Sequence, residues 1–393
     1  PSLYSQGRTF MGEIKKLFRE SEQLHIKSLL VFLISLYPKH RSMFSPKFTI
    51  TQKILKNIGI IEACKEVITH APLIPAWEVE FQKDAALRMV HYGTHLEGNK
   101  LSFSQAKKVM EGKRVVAKER DIQEVINYRN VIKYLEKLEE KGGKEVEYTQ
   151  SLLRKLHRLT VTRILEKGRS GKYRKTKVVV KEGRTGKVIF TPPPAIEVSF
   201  QIEDFFDWLN SKKGTRVHPV LRAGISHFEL VRIHPFVDGN GRATRAFATL
   251  ILFVEGYDIK RIFSLEEHFD REALDYYQAL QSVEKEDGDL TEWLEYFTKC
   301  LAIELKEVKE KVKKLSLDDR FKDKLGRQIA LSERQIKNLY YFKSNESLIM
   351  KEAKHIIPKV SEDTILRDLK NLMKKNIVKK RGRTKAASYV LAN

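Results

Sequence analysis

The stretch HPFVDGNGRATR, His234 to Arg245, brings a histidine, a carboxylate, glycines and arginines into one short run. Residues 238–242 lie between two apolar helical stretches, one ending near Ile233 and the next beginning near Gly241 or Arg242. A glycine-bearing loop that enters a helix presents unpaired backbone N–H groups at the positive end of the helix dipole, a setting that favours phosphate. Gly239 and Gly241 allow close backbone approach and positive φ. Arg242 and Arg245, spaced as i and i+3, share a helix face and can reach successive phosphates through bidentate guanidinium bonds. Asp238 is a hard oxygen donor, and Mg²⁺ commonly takes one or two carboxylates beside substrate phosphates and water. His234, just before Pro235, has an ordinary pKa of about 6.5, which suits a general base acting on a hydroxyl. Phe236 is a large apolar residue in a polar run and is expected to anchor the loop in the core. The composite is hydroxyl attack on a nucleotide phosphate, with metal and arginines stabilising the charge.

The elements around this run are mostly helical. Apolar residues recur at three- and four-residue steps from Thr49 onward, through "TITQKILKNIGIIEACKEVI", "WEVEFQKDAALRMVHYGTHLEG", "KERDIQEVINYRNVIKYLEKLEEK" and "TQSLLRKLHRLTVTRIL". "GKYRKTKVVVKEGRTGKVIFTPPP" breaks the pattern. Its β-branched runs, Lys177–Val180 and Lys187–Phe190, flank a polar glycine turn and predict a β-hairpin closed by Pro192–Pro194. Helices resume in "IEVSFQIEDFFDWLNS", "HPVLRAGISHFELVRI" and "RATRAFATLILFVEG", and continue through "REALDYYQALQSVEKEDG" and "LTEWLEYFTKCLAIELKEVKEKVKKL".

The central run resembles the signature of the Fic family, HPFx(D/E)GNGRxxR, at every fixed position. The resemblance extends from about Thr49 to Leu305, with "GKYRKTKVVV…VIFTPPP" similar to the family's flap hairpin. It implies a protein adenylyltransferase (AMPylase) that moves AMP from ATP to a Ser, Thr or Tyr hydroxyl of a target protein. His234 would deprotonate the hydroxyl and Asp238 would hold Mg²⁺. Asn240 with the Gly239–Gly241 backbone would form the anion hole, Arg242 would meet the β-phosphate and Arg245 the γ-phosphate. Val178 and Val179 would lie on the flap strand that covers the nucleotide, whose edge would pair with the target segment. Tyr276 and Tyr277 match tyrosines near the adenine, a core role being the alternative. Other chemistry on the same fold stays open: AMP removal, transfer of UMP or another phosphate-containing group, or kinase-like transfer in the manner of Doc. So does a DNA-binding regulator that senses nucleotide, although sensing alone needs no base at His234.

Upstream, "GTHLEGN" (Gly93 to Asn99) resembles the end of the family's inhibitory pattern (S/T)xxxE(G/N). Gly93 stands at the Ser/Thr position, with Thr94 one place late. The resemblance implies that Glu97 pairs with Arg245 and misplaces the γ-phosphate. A helix C-terminus with Gly98 beyond it is the structural reading, and both can hold.

From Leu317 to the end the chain carries 19 Lys/Arg and 9 Asp/Glu, a net of +10. Helices at "SERQIKNLYYFKS", "LIMKEAKHI" and "VSEDTILRDLKNLMKKN", then strand, basic turn and strand, describe a winged helix-turn-helix. Ser361 is a good N-cap, and Leu366, Leu369, Leu372 and Met373 form the expected buried stripe. Double-stranded DNA would meet phosphate-contacting Lys379, Lys380, Arg381, Arg383 and Lys385, and base-contacting Asp363, Thr364 and Arg367, the alternative being a domain that binds protein or only orients the core.

The 393 residues exceed one compact domain. The expected division is an N-terminal extension at 1–50, a helical part at 51–170, the core with its flap at 171–305, a linker helix at 306–316 and the winged helix at 317–393. A net charge of +23 favours polyanionic partners. At 41% hydrophobic and 32% charged the composition argues against disorder and fibrous repeats. Cys64 and Cys300 are far apart and outside any CxxC, which argues against a disulfide scaffold or zinc site and for a reducing cytoplasm. The apolar run Ser28–Tyr37 is shorter than the ~20 residues that cross a bilayer and reads as a buried helix. The chain opens on Pro1, which points to a start that is processed or lies upstream. A homodimer is a further expectation. The fold class is mainly α: a helical Fic core with a β-hairpin flap, plus the C-terminal winged helix-turn-helix.

Overall fold

The computed structural model describes residues 44–71, 75–140, 146–181, 188–257, 259–316, 332–342, 345–358, 360–382 and 387–392. The apolar run Ser28–Tyr37, the turn of the flap hairpin, Arg383 and Lys385 lie outside these residues. The chain divides into two compact units, residues 1–70 with 81–309 and residues 71–80 with 310–393.

The first unit is helical, as expected. Its centre is the antiparallel-connected pair α8 (Pro219–Ile233) and α9 (Asn240–Leu252). Both are apolar or buried nearly all round, the mark of helices enclosed by others. α9 packs on α8, and also on α4 (Glu119–Glu140) and α5 (Gln150–Thr160). α8 begins at Pro219, whose missing N–H costs nothing in a first turn. It approaches α12 (Thr291–Ser316) through Gly224, where a Cβ would lie 2.9 Å from Leu294 Cδ2. The buried Trp293 indole N–H donates to the Gly224 carbonyl at 2.8 Å. The same unit contains α1 (Gln52–His70), residues 81–95 of α2 (Pro75–His95), α3 (Phe103–Met110), α6 (Val198–Leu209), α7 (Lys212–Arg216), α10 (Leu265–Arg271) and α11 (Ala273–Lys285).

The flap hairpin is present but starts later than the sequence indicates. β1 is Val180–Lys181 and β2 is Val188–Phe190, antiparallel, with Val180 opposite Phe190. Val178 and Val179 therefore precede the strand. A β-branched run marks extended backbone, whereas the strand begins only where Phe190 supplies a partner.

Residues 44–50, within the expected N-terminal extension, form a strap ahead of α1, which begins at Gln52 rather than Thr49. Phe44 sets its ring edge-on against Phe205 (5.9 Å) and Trp208 (5.3 Å), and Leu290 N–H donates to Lys47 O at 2.8 Å.

The second unit contains α13 (Glu333–Tyr341), β3 (Leu348–Ile349), α14 (Met350–Ile356), α15 (Glu362–Lys374), β4 (Val378–Arg381) and β5 (Ser388–Leu391). The antiparallel sheet runs β3-β5-β4. Leu348 and Ile349, read as the start of a helix, pair instead with Tyr389 and Ser388. Ser361 caps α15 as expected, but Ile365 rather than Leu366 heads the buried stripe with Leu369 and Leu372; Leu366 and Met373 are only partly buried. Cys64 and Cys300 are buried and form no disulfide. No helix among the described residues is long and apolar enough to cross a membrane.

Candidate active site

The turn from α8 to α9 is shaped by its own backbone. His234 ends α8 in the left-handed region (φ 50, ψ 60), a conformation that costs a non-glycine residue about 1–2 kcal/mol. Gly239 takes φ 75 at the N-cap of α9, where no side chain caps the helix. The cap residue therefore takes up none of the first N–H groups of α9, a setting suited to an anion. Asn240 is committed elsewhere: its Oδ1 accepts from Phe236 N–H at 2.8 Å and its Nδ2 donates to Phe236 O at 2.9 Å. Its side chain shapes the loop, which leaves the backbone as the anion-binding part.

His234 Nδ1 lies 3.3 Å from Val231 O. A carbonyl only accepts, so Nδ1 carries the hydrogen and Nε2 the lone pair. Burial holds the pKa of His234 below the ordinary histidine value, with nearby Arg174 acting in the same direction. The ring is therefore neutral at pH 7 and basic at Nε2.

His157 and Arg174, unnoticed in the sequence, support this turn, and His227 lies against Tyr276. His157 on α5 stacks parallel on Phe236, ring centroids 3.7 Å apart, and its Nε2 donates to Asp238 O at 2.9 Å. Its Nδ1 accepts from Gly171 N–H at 2.9 Å, and burial lowers its pKa to about 4, so it stays neutral. His227, likewise lowered to about 3 by burial, sits 2.9 Å from the Tyr276 hydroxyl. Arg174 donates to backbone carbonyls on both sides of His234. Arg174 lies within the flap-like run and His227 within a helical stretch, yet neither role shows in the sequence, because these residues, like His157, act through backbone or through a residue far along the chain.

The two motif arginines are buried but differently engaged. Arg245 Nη2 donates to Glu97 Oε1 at 2.9 Å and to Gly93 O at 2.8 Å. Arg242 lies against Glu124 on α4 (Nη1–Oε1 3.2 Å) and 3.5 Å from Asp238 Oδ1. The Nε of each arginine has no hydrogen-bond partner, an unmet demand in a buried site that an anion would satisfy. Arg120 Nη2 holds Asp238 Oδ2 at 2.7 Å. Burial works against the Asp238 charge, yet Arg242 and Arg120 hold its pKa below the ordinary value.

Glu97 stands on the turn after α2, followed by Gly98 at φ 94. A Cβ on Gly241 would collide with the Glu97 carboxylate, so the carboxylate rests on the first turn of α9. Burial opposes its ionisation, but Arg245 and Arg242 hold it ionised, with a pKa below the usual carboxylate value. Gly93, one turn earlier, is required by packing: a Cβ there would lie 2.6 Å from Cε1 of the fully buried Tyr128, whose hydroxyl donates to Glu266 at 3.0 Å. Here the Ser/Thr of the related pattern would not fit. Gly93→Ala is expected to destabilise the fold by about 1–3 kcal/mol through overpacking, read from urea unfolding midpoints.

A cavity of about 700 Å³ gathers part of this set. Its wall includes His234, Gly241, Arg245, Glu97, Tyr276 and Tyr277, the flap residues Val180 and Phe190, and strap residues Phe44 to Lys47. Its volume falls within the range of small-molecule sites. Val180 lines the wall where Val178 and Val179 were expected, and Asp238, Asn240 and Arg242 are not part of the wall. Tyr276 is buried against Phe269 (4.9 Å), while Tyr277 is 37% exposed. In the second unit Asp363, Arg367, Lys379, Lys380 and Arg381 are exposed. Thr364 is half-buried, its Oγ1 3.0 Å from the N-cap Ser361 Oγ.

Residues 147–252 match the Fic/DOC family. The protein adenylyltransferase Fic of Nematostella vectensis is 27% identical over 230 residues, 56% of this chain and 47% of that protein. The protein adenylyltransferase fic-1 of Caenorhabditis elegans is 31% identical over 268 residues, 63% of this chain and 47% of that protein. The chain thus spans about half the length of the curated relatives it matches. Among solved structures, a Fic family protein from Desulfovibrio desulfuricans superposes with a TM-score of 0.63 at 22% identity, covering 88% of this chain and 98% of that one. Fic-1 of Caenorhabditis elegans gives 0.55 at 22% identity, covering 74% and 77%. These likenesses establish the fold of the helical core.

Proposed function

From a chain whose residues 147–252 form a Fic/DOC domain, we infer a protein adenylyltransferase that uses ATP and a hydroxyl side chain of a target protein. The observation that carries the reading is the neutral His234, its Nδ1 held by Val231 O, on the wall of the cavity that Arg245 and Gly241 of α9 also line. Nε2 takes the proton of the target hydroxyl as that oxygen attacks the α-phosphorus. The bond from the α-phosphorus to the bridging oxygen breaks, AMP stays on the target as a phosphodiester, and pyrophosphate leaves with the electron pair. The α9 N–H groups and the arginines receive the phosphate charge.

Asp238 fits a Mg²⁺ partner chemically. It is a single ionised carboxylate whose side chain is 30% exposed, a donor that Mg²⁺ completes with phosphate oxygens and water. Arg120 would exchange from Asp238 to phosphate. Mg²⁺ would supply charge neutralisation at the phosphates. Glu97 on Arg245 supports restraint of the same site, because its carboxylate lies where an anion at α9 would sit.

Incubation with ATP labelled at the α-phosphate, beside ATP labelled at the γ-phosphate, tests the reaction class. Label on protein from the α-position alone supports AMP transfer. Label from the γ-position alone would replace it with kinase-like transfer, and loss of AMP from premodified protein would reverse its direction.

The second unit supports a winged helix through its helices and β3-β5-β4 sheet, with Lys379, Lys380 and Arg381 exposed on β4. Duplex DNA is the partner this surface suits. If these residues each neutralise a phosphate, affinity should fall about 40-fold over a fourfold rise in salt from this term. Their joint replacement by alanine should flatten the salt slope in anisotropy titrations. Affinity indifferent to salt would remove DNA as the partner.

A further inference from the structure

We propose that Arg174 is a positioning residue for the transfer reaction, one cation that holds His234 in its strained conformation and ties the flap to the same turn. The proposal rests on the reading of His234 as the base.

Arg174 lies between α5 and the flap and is 4% exposed. Its Nε donates to His234 O at 2.8 Å, and its Nη2 to Ile233 O at 3.2 Å. Its own backbone N–H donates to Pro235 O at 2.8 Å. Three successive carbonyls around the left-handed residue are therefore held by one residue. The same guanidinium donates from Nη2 to Pro193 O at 2.6 Å and from Nη1 to Thr176 O at 3.3 Å. Thr176 leads into β1 and Pro193 follows β2, so the entry and exit of the flap share this cation with the histidine.

The choice of partners is informative. Among the described residues no carboxylate pairs with Arg174, and burial alone drives its pKa below the ordinary arginine value. A buried guanidinium without a counterion is costly. It is tolerated here because Ile233 is the last residue of α8 and His234 its C-cap, where the helix dipole presents partial negative charge. A lysine brings charge but no planar fork, so it cannot span the flap carbonyls and the turn together. The left-handed backbone of His234 needs an outside constraint to persist, and this contact supplies one.

Both replacements, Arg174→Gln and Arg174→Lys, are to be compared with wild type by hydrogen exchange on the full chain. In both, exchange at residues 188–194 and at 234–239 should rise together, with the glutamine variant showing the larger rise. The His234 ring should titrate at higher pH in Arg174→Gln than in wild type by NMR, because a nearby positive charge is lost. In AMP transfer, kcat should fall about 100-fold in the glutamine variant, the scale of a misplaced catalytic group, with KM for ATP changing far less. Lysine should restore part of kcat and the wild-type histidine titration.

A folded glutamine variant in which both segments keep wild-type exchange would overturn the proposal, as would an unmoved His234 titration. If the glutamine variant fails to fold, the exchange pattern of Arg174→Lys decides alone: protection lost at one segment and kept at the other would also sink it. Exchange and titration need no catalysis, so a chain that moves no AMP would defeat the functional reading and leave this test intact.

Discussion

His234→Ala should lower AMP transfer by about 10²–10⁴-fold, the usual contribution of a general base, while ATP affinity changes little. The contrast follows from geometry. Nδ1 is fixed by Val231 O, so in the proposed reading the ring would offer its Nε2 lone pair to the reaction, whereas phosphate binding would fall to α9 and the arginines. The pH profile gives a second check. The base works when neutral, and burial depresses its pKa, so the acid limb of kcat should lie below the ordinary value of 6.5. From pH 7 upward this limb should be flat. Initial rates with ATP labelled at the α-phosphate, across pH and with ATP affinity measured separately, provide both readings. A variant as fast as wild type, or a limb above 6.5, would remove His234 from the base role.

The site was legible where chemistry is contiguous. His234, Asp238, Gly239 and the arginines fall within one turn and one helix start, so composition and order together carried the reading. Glu97, 148 residues from Arg245, was visible through its own short pattern, and the 2.9 Å contact is what folding adds. Arg174, His157 and Tyr128 were opaque for a common reason. Arg174 binds carbonyls, which every residue possesses; His157 and Tyr128 are defined by a stacking face and by the space left at Gly93. The strap at Phe44 is fixed by Phe205 and Trp208, side chains no local window contains.

The fold shows the same division. Long amphipathic helices announced themselves through periodicity, and caps such as Ser361 set their starts. Short strands did not. Leu348 and Ile349 continue a helical pattern in the sequence and become β3 only because β5 lies alongside. Val178 and Val179 look like strand and are not, because the matching residue for pairing, Phe190, faces Val180. In both places tertiary pairing overrode local preference.

Glu97→Gly should raise AMP transfer by about 5- to 150-fold, the span of a coupling free energy of ~1–3 kcal/mol between two sites. In the proposed reading the Glu97 carboxylate, which holds Arg245 Nη2 and rests on the first turn of α9, would compete there with an ATP phosphate, since both are anions. Removing one admits the other. The same change should have a cost. Arg245 is buried, and without Glu97 its guanidinium keeps Gly93 O as its hydrogen-bond acceptor. Breaking a fully buried pair by deleting one partner typically destabilises by about 3–5 kcal/mol; the Glu97 side chain keeps 27% of its surface in solvent, so that figure is the upper bound for this pair. Glu97→Gly should therefore melt below wild type without nucleotide, and ATP should raise its melting temperature by more than it raises that of wild type, because the phosphate replaces the lost anion. Glu97→Gln keeps the shape but drops the charge and should fall between the two in rate. Thermal unfolding with and without ATP, run beside incorporation rates, separates relief of inhibition from general loosening. A looser protein would lose stability with no special gain from ATP, and a rate equal to or below wild type would end the inhibitory reading of Glu97.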